Sequence, residues 1–366
     1  MGPIRVAACH AAPVFLSAKA TTQKAISYIR TAAKNKADLV IFPETYIPAF
    51  PIWSALRAPT QNHSLFKRMA SQSIYADGPE IQALQSAAQE TQTYLSIGIS
   101  EKVQYSSGTL FNSNIMIGPD GRVLNLHRKL MPTFFEKLTW APGDGHGLRV
   151  VETPFGNIGN LICGENTNPL ARYSLIAQAE ELHISTWPAA WPTRVPEPGA
   201  RKDARAKNYD NVAANRIRAA AHCFEAKAFG VLCSGHLDES AIEMVAGGAS
   251  DAEHITNLLR TSQRGATMFL DPTGAPIPGF TVDDQSGAKK EIEFLQNEEG
   301  ILYADLDLSD CVEGKQYHDV VGGYQRHDVF KLTVDRERQV PIRFLDPPPA
   351  RAEQGREDFA LFETFP

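Results

Sequence analysis

The sequence predicts sheets covered by helices, an α/β or α+β fold in one large unit. Three observations carry this reading. Short apolar runs bounded by Gly or Pro recur along the chain, Leu39-Val40-Ile41-Phe42-Pro43 among them. Segments with apolar residues at a 3.6 period lie between several of these runs. In the middle, two strand-like runs flank a hairpin turn, Gly118-Pro119-Asp120-Gly121. Periodicity does not say whether there is one sheet or two.

Taken in order, Ile4 to Cys9 reads as a buried strand. Ser17 is placed to cap a helix whose Thr22, Ala25, Ile26, Ile29 and Ala33 share one face. The strand from Leu39 to Phe42 stops at Pro43, which has no N–H for a ladder. Gly78-Pro79 opens a second helix, with Pro at its first position and Ile81, Leu84 and Ala88 on one side. Tyr94 to Ile99 is strand-like, and Asn114 to Ile117 faces Arg122 to Leu126 across the hairpin. Gly156 to Cys163 is another strand, followed by a helix through Leu170 to Ala179 and a short strand from Leu182 to Thr186. Trp187-Pro188 to Pro198-Gly199, rich in Pro and Trp, reads as a loop. Ala213, Ile217, Ala220, Ala221, Phe224 and Ala228 mark the apolar face of an amphipathic helix. Phe229 to Cys233, Thr267 to Leu270 with its turn at Asp271-Pro272-Thr273-Gly274, and Ile301 to Leu306 complete the strands. From about Asp310 the pattern weakens into a polar tail that runs through Pro347-Pro348-Pro349. The expected organisation is a domain over residues 1–310 and a tail over 311–366, an arm suited to docking on another subunit.

The chain has 366 residues, 43% hydrophobic and 21% charged, enough for a substantial core. A net charge of −6 argues against nucleic acid or an anionic membrane as partner, since both call for a basic face. No apolar run approaches the roughly 18–20 residues that span a bilayer. The N-terminus runs straight into a strand without a signal-peptide pattern. Cys9, Cys163, Cys223, Cys233 and Cys311 include no CxxC pair, so neither a disulfide framework nor a structural zinc site is expected. These features fit a protein of the reducing cytoplasm.

One cysteine stands apart. Cys163 ends the apolar run Asn160-Leu161-Ile162 and begins the polar turn Gly164-Glu165-Asn166-Thr167-Asn168-Pro169. Free cysteines are usually small buried hydrophobes. A thiol at a strand end, followed by backbone able to present N–H groups, is instead well placed as a nucleophile. Two charged residues share its kind of setting. Glu44 closes Leu39-Val40-Ile41-Phe42-Pro43, and Lys129 closes the segment Arg122 to Arg128. A carboxylate, an amine and a thiol, each at a strand end, suggest one site at one sheet edge.

The residues around these three carry a family resemblance. Phe42-Pro43-Glu44, then His127-Arg128-Lys129-Leu130-Met131-Pro132-Thr133 with Glu136 and Trp140, then Leu161-Ile162-Cys163-Gly164-Glu165-Asn166 resemble the signature blocks of the nitrilase (carbon–nitrogen hydrolase) superfamily. Thr186-Trp187-Pro188-Ala189-Ala190-Trp191-Pro192 and the segment Val321 to Phe330 resemble its nitrilase branch. The blocks occur in order over nearly the whole chain, from about residue 4 to 330. The resemblance implies an αββα sandwich that stacks with a second subunit into αββα-αββα, and a homo-oligomer, spiral in many members. It also implies Cys163 as nucleophile, Glu44 as general base, Lys129 as stabiliser of developing charge and Glu136 as a second glutamate. Tyr46, Gly164, Glu165, Asn166 and Trp187 are the expected substrate contacts, with Trp191 a further candidate wall.

The chemistry follows from the groups. A nitrile carbon is only modestly electrophilic, and a free thiol titrates near pH ~8.5, so the sulfur needs an adjacent base or cation. Glu44 can take the thiol proton and later activate water. Lys129 places positive charge where anionic nitrogen or oxygen develops, helped by backbone N–H after Cys163. No metal or organic cofactor is required. His10, His127, His183, His222 and His236 lack the flanking pattern of a Cys-His site, and scattered as they are they predict no metal centre. The expected activity is nitrile hydrolysis to acid and ammonia. An amidase, a hydratase that stops at the amide, and a scaffold that has lost its chemistry are the alternatives.

Two departures stand out against the resemblance. Gly164 occupies a position where many members of the branch carry tryptophan, which should open room beside the nucleophile. Gly323 precedes Tyr324 where a histidine is common, so the tail's support of the site is not carried over.

Overall fold

The computed structural model describes residues 2–192, 210–283 and 285–342. Its strands are β1 (Ile4–His10), β2 (Leu39–Ile41), β3 (Tyr94–Val103), β4 (Ser106–Ile117), β5 (Val123–Arg128), β6 (Val151–Thr153), β7 (Gly156–Ile162), β8 (Leu182–Trp187), β9 (Phe229–Ser234), β10 (Thr267–Leu270), β11 (Pro276–Ile277), β12 (Gly279–Val282), β13 (Lys289–Ile292), β14 (Phe294–Leu295) and β15 (Gly300–Leu306). Its helices are α1 (Ala18–Lys34), α2 (His63–Gln72), α3 (Pro79–Thr91), α4 (Pro169–Ile176), α5 (Asn211–Ala226), α6 (Glu239–Ala246), α7 (Ala252–Thr261) and α8 (Cys311–Lys315).

There are two sheets. The first has eight strands in the order β13-β12-β15-β1-β2-β3-β4-β5. The second has seven, β11-β10-β9-β8-β7-β6 with β14 on β10. Both are mixed. β1, β2 and β3 run parallel, as do β7, β8 and β9, and hairpins flank each trio. Side chains of a strand alternate between faces, and the packing shows where each face goes. Ile4, Val6, Ala8, Leu39 and Ile41 meet Ile158, Leu182, Ile184, Val231 and Phe269 between the sheets. The intervening Ala7, Cys9, Val40, Leu95 and Ile97 pack against Ala25 and Ile29 of α1 and Ile81 and Leu84 of α3. On the far side Leu161 meets Ala171 and Leu175 of α4, while Ile162 and Leu232 meet Ala219 and Cys223 of α5. The layers are therefore helix, sheet, sheet, helix, the αββα sandwich.

Several expected elements change in detail. β4 begins eight residues before the expected Asn114, because Ser106–Ile117 pairs along the full length of β3. α2, α6 and α7 were not expected; each is short and carries only one or two turns of apolar periodicity. α5 presents a different face from the one its apolar residues suggest. Asn211, Asn215, Ala219, His222, Cys223 and Ala226 point inward, whereas Ile217 is 70% exposed and Phe224 is 44% exposed. Polar groups of α5 are needed inside, at the candidate site and beneath it. Ser17 precedes α1 but makes no side-chain cap bond. The expected loop from Trp187 to Gly199 falls from residue 193 onward outside the described residues.

Candidate active site

Glu44, Lys129, Glu136 and Cys163 come together. Each stands just beyond a strand end or in the turn that follows. Glu44 lies past β2 in a turn that needs Gly98 on neighbouring β3, because a Cβ there would strike Pro43 O and Thr45 N. Lys129 follows β5, its own N–H donating to Asn112 O at 2.7 Å. Glu136 sits in a 3₁₀ turn, Phe134–Leu138, entered through Thr133, whose N–H donates to Glu136 Oε2 at 3.1 Å. Cys163 opens the 3₁₀ turn after β7 with φ 51°, and Thr45 and Phe134 also have positive φ at 48° and 50°. Left-handed backbone at non-glycine residues costs on the order of 1–3 kcal/mol and persists only where surroundings impose it. Here it occurs beside or at three of the four site residues.

Lys129 is the hub. Its ammonium donates to Glu44 Oε1 at 2.8 Å and to Glu136 Oε1 and Oε2 at 2.9 and 2.7 Å. Asn112 Nδ2 donates to the same Glu44 oxygen at 2.7 Å and fixes the carboxylate from the other side. Glu44 Oε2 is buried and has no hydrogen-bond partner among the described residues. A carboxylate oxygen from each glutamate and the Cys163 sulfur lie within 4.8 Å of one another. The arrangement leaves Glu44 with an open acceptor near the thiol and Lys129 with its charge beside the sulfur.

Burial shapes the electrostatics. Desolvation pushes the Cys163 thiol well above its ordinary value and Glu44 adds to this, while Lys129 and Arg218 pull it back. The net direction favours the protonated thiol. Glu136 is pushed up to about 7, chiefly by burial, with Lys129 opposing and Glu44 adding to the rise. Lys129 is raised well above its ordinary value: burial works against its charge, but Cys163, Glu136 and Glu44 outweigh it. Its ammonium stays charged, as a stabiliser of developing negative charge must.

Cys163 opens into a cavity of about 190 Å³, lined among others by Gly164, Thr133, Trp187, Trp191 and Arg218. Of the expected contacts, Gly164 and Trp187 stand on the wall of this cavity, with Trp191 beside them, and Tyr46, Glu165 and Asn166 do not line it. Tyr46 lines a neighbouring cavity together with Glu44, Phe50 and Pro188, its ring against Phe42 at 4.9 Å between centroids and its hydroxyl donating to Ala12 O. Glu165 turns its carboxylate inward to accept from Ile162 N, Leu130 N and His127 Nε2, at 2.6, 3.0 and 2.6 Å. It clamps the Cys163 turn to the Lys129 segment. Asn166 is fully buried and donates to the carbonyls of Leu161 and Cys163 at 3.1 and 3.0 Å. Both residues satisfy turn backbone, as Asn and Glu in such turns often do.

Other contributors escaped the sequence. Asn112, Thr133, Asn211, Asn215 and Arg218 hold or line the site. The 211, 215 and 218 spacing is itself a helical stripe, polar and turned inward, and it could have been read as such. Arg218 lies 5.2 Å over the Trp187 ring. Asn112 carries no signal of its own, since it lies in the part of β4 whose pairing was not expected.

As for metals, the two glutamates and Cys163 offer three donor atoms, but the Lys129 ammonium already bonds both carboxylates. A second buried trio, Glu180, His183 and His222, lies within 4.8 Å of one another behind the Cys163 turn.

A family model described as carbon-nitrogen hydrolase matches residues 5–316. The chain belongs to the carbon-nitrogen hydrolase family. A nitrilase of Penicillium rubens is 32% identical over 347 residues, covering 94% of this chain and 97% of that protein. An arylacetonitrilase of Hypocrea virens is 33% identical over 367 residues, 97% of this chain and 98% of that protein. Among solved structures, Nit3 of Saccharomyces cerevisiae, a member of branch 10 of the nitrilase superfamily, superposes with a TM-score of 0.61 at 18% identity, covering 89% of this chain and 97% of that one. A carbon-nitrogen hydrolase of Helicobacter pylori gives 0.61 at 19%, covering 86% and 92%. These likenesses bear out the sandwich read from the layers of this carbon-nitrogen hydrolase.

Proposed function

We propose that this carbon-nitrogen hydrolase is a nitrilase, converting an organic nitrile and two waters to a carboxylic acid and ammonia. The observation that carries the reading is the buried Glu44-Lys129-Glu136 cluster against Cys163, in a chain about one third identical to proteins named nitrilase. The Cys163 sulfur attacks the nitrile carbon while its proton passes by way of Glu44 to the nitrile nitrogen, giving a thioimidate. Glu44 then takes a proton from water, which adds to the thioimidate carbon. The resulting tetrahedral species expels ammonia once its nitrogen is protonated. The thioester left behind is cleaved by a second water, releasing the acid and the thiol. Lys129 stabilises the charge that builds at nitrogen and then at oxygen, and Glu136 keeps Lys129 in place.

The cavity is compact and carries polar groups from α5 on one wall and tryptophans on another, which suits a short nitrile with one flat or branched substituent. Self-association belongs to the same proposal. The outer face of α5 exposes Ile217 and Phe224, and Val312 and Tyr317 are exposed in and after α8. Such apolar groups are suited to cover against a second copy. Among the described residues no helix is long and apolar enough to cross a membrane, and the five unpaired cysteines suit a reducing cytoplasm.

The test is ammonia release from a panel of nitriles and their matching amides, with the organic product identified by chromatography. Acid with stoichiometric ammonia from nitriles, and inert amides, supports the proposal. Activity on amides alone would assign an amidase with the same residues in the same roles. Amide as the product from nitriles would assign a hydratase, a difference of only ~1–3 kcal/mol between two barriers. Silence on both panels would point to an inactive scaffold.

A further inference from the structure

The backbone of Cys163 is strained, and something must hold it. Asn166 does so directly, through its two donations to the Leu161 and Cys163 carbonyls. That fixes the orientation of its amide and leaves Oδ1 facing His183 Nε2 at 2.8 Å. His183 Nδ1 in turn lies 2.8 Å from Glu180 Oε1, and the other oxygen, Oε2, lies 2.6 Å from His222 Nε2. All three side chains are fully buried, and the two imidazole rings stack at 3.6 Å. Gly159 of β7 makes room for this group, because a Cβ there would collide with Glu180 Oε1.

Counting donors gives the network a direction. Asn166 Oδ1 accepts, so His183 Nε2 must carry a proton. Burial works against ionising Glu180, but His222 and His183 draw it down to about 2. A carboxylate then faces Nδ1, which must also donate. Every bond closes only if a second proton is held between His183 Nδ1 and Glu180 Oε1. Burial and the stacked His222 lower His183 to about 4, against its holding that proton, while Glu180 beside Nδ1 favours it. Removing the second proton would leave two acceptors facing each other in a buried site, which costs roughly 1–3 kcal/mol.

We propose that Glu180 and His183 are positioning residues that hold the nucleophile's turn in its strained form through Asn166. None of them touches the cavity into which Cys163 opens. The proposal rests on the reading of Cys163 as nucleophile. A metal site is the other use of the trio, but His183 Nε2 is already bonded to Asn166, and His183 Nδ1 and His222 Nε2 share the Glu180 carboxylate, which leaves His222 Nδ1 as the one ring nitrogen of the pair without a partner among the described residues.

The experiment compares His183→Leu, Glu180→Leu and Glu180→Gln with the wild-type chain. Glutamine is the conservative variant. Its amide N–H can donate to His183 Nδ1 and its oxygen can accept from His222, so the bonds close without the extra proton. For each variant, kcat and KM on the best nitrile are expressed per Cys163 that iodoacetamide labels, and Cys163 alkylation rates are followed by mass spectrometry. Expected is a loss in kcat of about tenfold or more for both leucine variants, as misplacement of a reacting group produces. KM should change little, Cys163 alkylation should slow or speed in parallel, and Glu180→Gln should recover most of the loss relative to Glu180→Leu. Leucine variants with wild-type kcat per labelled site would overturn the proposal, as would a glutamine variant no better than leucine. Stoichiometric metal in the purified wild-type protein would also overturn it. If His183→Leu does not fold, His183→Gln is read in the same way. A wild-type chain silent on nitriles would fail the functional reading alone, because the alkylation rates still report on the turn.

Discussion

Lys129 Nζ and Glu44 Oε1 are 2.8 Å apart with both side chains sealed from solvent. A buried ion pair of this kind is weak evidence for stability, since desolvation offsets much of the attraction. Its presence where a thiol, a second carboxylate and a cavity converge makes sense as chemistry. In the proposed mechanism the pair fixes the carboxylate that takes the proton and the cation that stabilises what forms.

Breaking it should be expensive in two ways. Lys129→Met leaves Glu44 and Glu136 buried without their cation, a loss of about 3–5 kcal/mol in stability. It also removes the fixed positive charge, for which a rate loss on the order of 10²–10³ is expected. Denaturant melts and kcat/KM together check this. A variant of normal stability and activity would mean that Lys129 only fills space.

Glu136 makes a prediction about pH. Its carboxyl is raised from 4.5 to about 7 in the folded chain, so between those values the folded state holds more protons than the unfolded one. The stability this group contributes is fully present below pH 4.5 and is lost as pH rises through 7. Glu136→Gln cannot titrate. The melting temperature of wild type minus that of Glu136→Gln should therefore fall from pH 4.5 to 7.5, where the range brackets the shift. A flat or rising difference would remove burial as the dominant influence on Glu136.

Arg218 was invisible to a reading that sought apolar periodicity in α5, and it leads to a further expectation. Its charge and that of Lys129 oppose the rise of the Cys163 thiol. In Arg218→Leu the midpoint of the pH profile for Cys163 alkylation should move upward. No change would show that solvent screens Arg218 from the sulfur.

Gly164 opens room, but the space is not free. A Cβ at this position would lie 2.6 Å from Thr133 Oγ1, and Thr133 shapes the turn that carries Glu136. Gly164→Trp should lower kcat by disturbing that turn, and adding Thr133→Gly should restore part of the loss. Steady-state kinetics on the best nitrile would decide. Additive losses in the double variant would break the proposed link.

Much of this site was legible because its chemistry sits where strands stop. Glu44, Lys129 and Cys163 each follow an apolar run, and a charge or thiol in that setting is rare enough to notice. Their shared setting suggested one site at one sheet edge, but no periodicity shows that the strand ends which meet belong to two sheets, β2 and β5 in one and β7 in the other. Glu165 and Asn166, which follow the nucleophile, were placed among the substrate contacts although partners for turn backbone were an equal reading. The structure turns them inward, where the backbone of a tight turn needs partners. α5 misled for a related reason. Ile217 and Phe224 look like core, yet they lie outside while Asn211, Asn215 and His222 lie inside. An exposed apolar face and a polar interior together invert the usual pattern.

The account stands on Cys163 forming a covalent bond to substrate carbon. The most direct measurement is peptide mass spectrometry of the wild-type chain quenched in acid during turnover of its best nitrile. The account predicts an acyl or thioimidate adduct on the peptide containing Cys163, absent from Cys163→Ala, which should fold normally and release no ammonia. Turnover without an adduct there, or an adduct confined to Cys9, Cys223, Cys233 or Cys311, would contradict it.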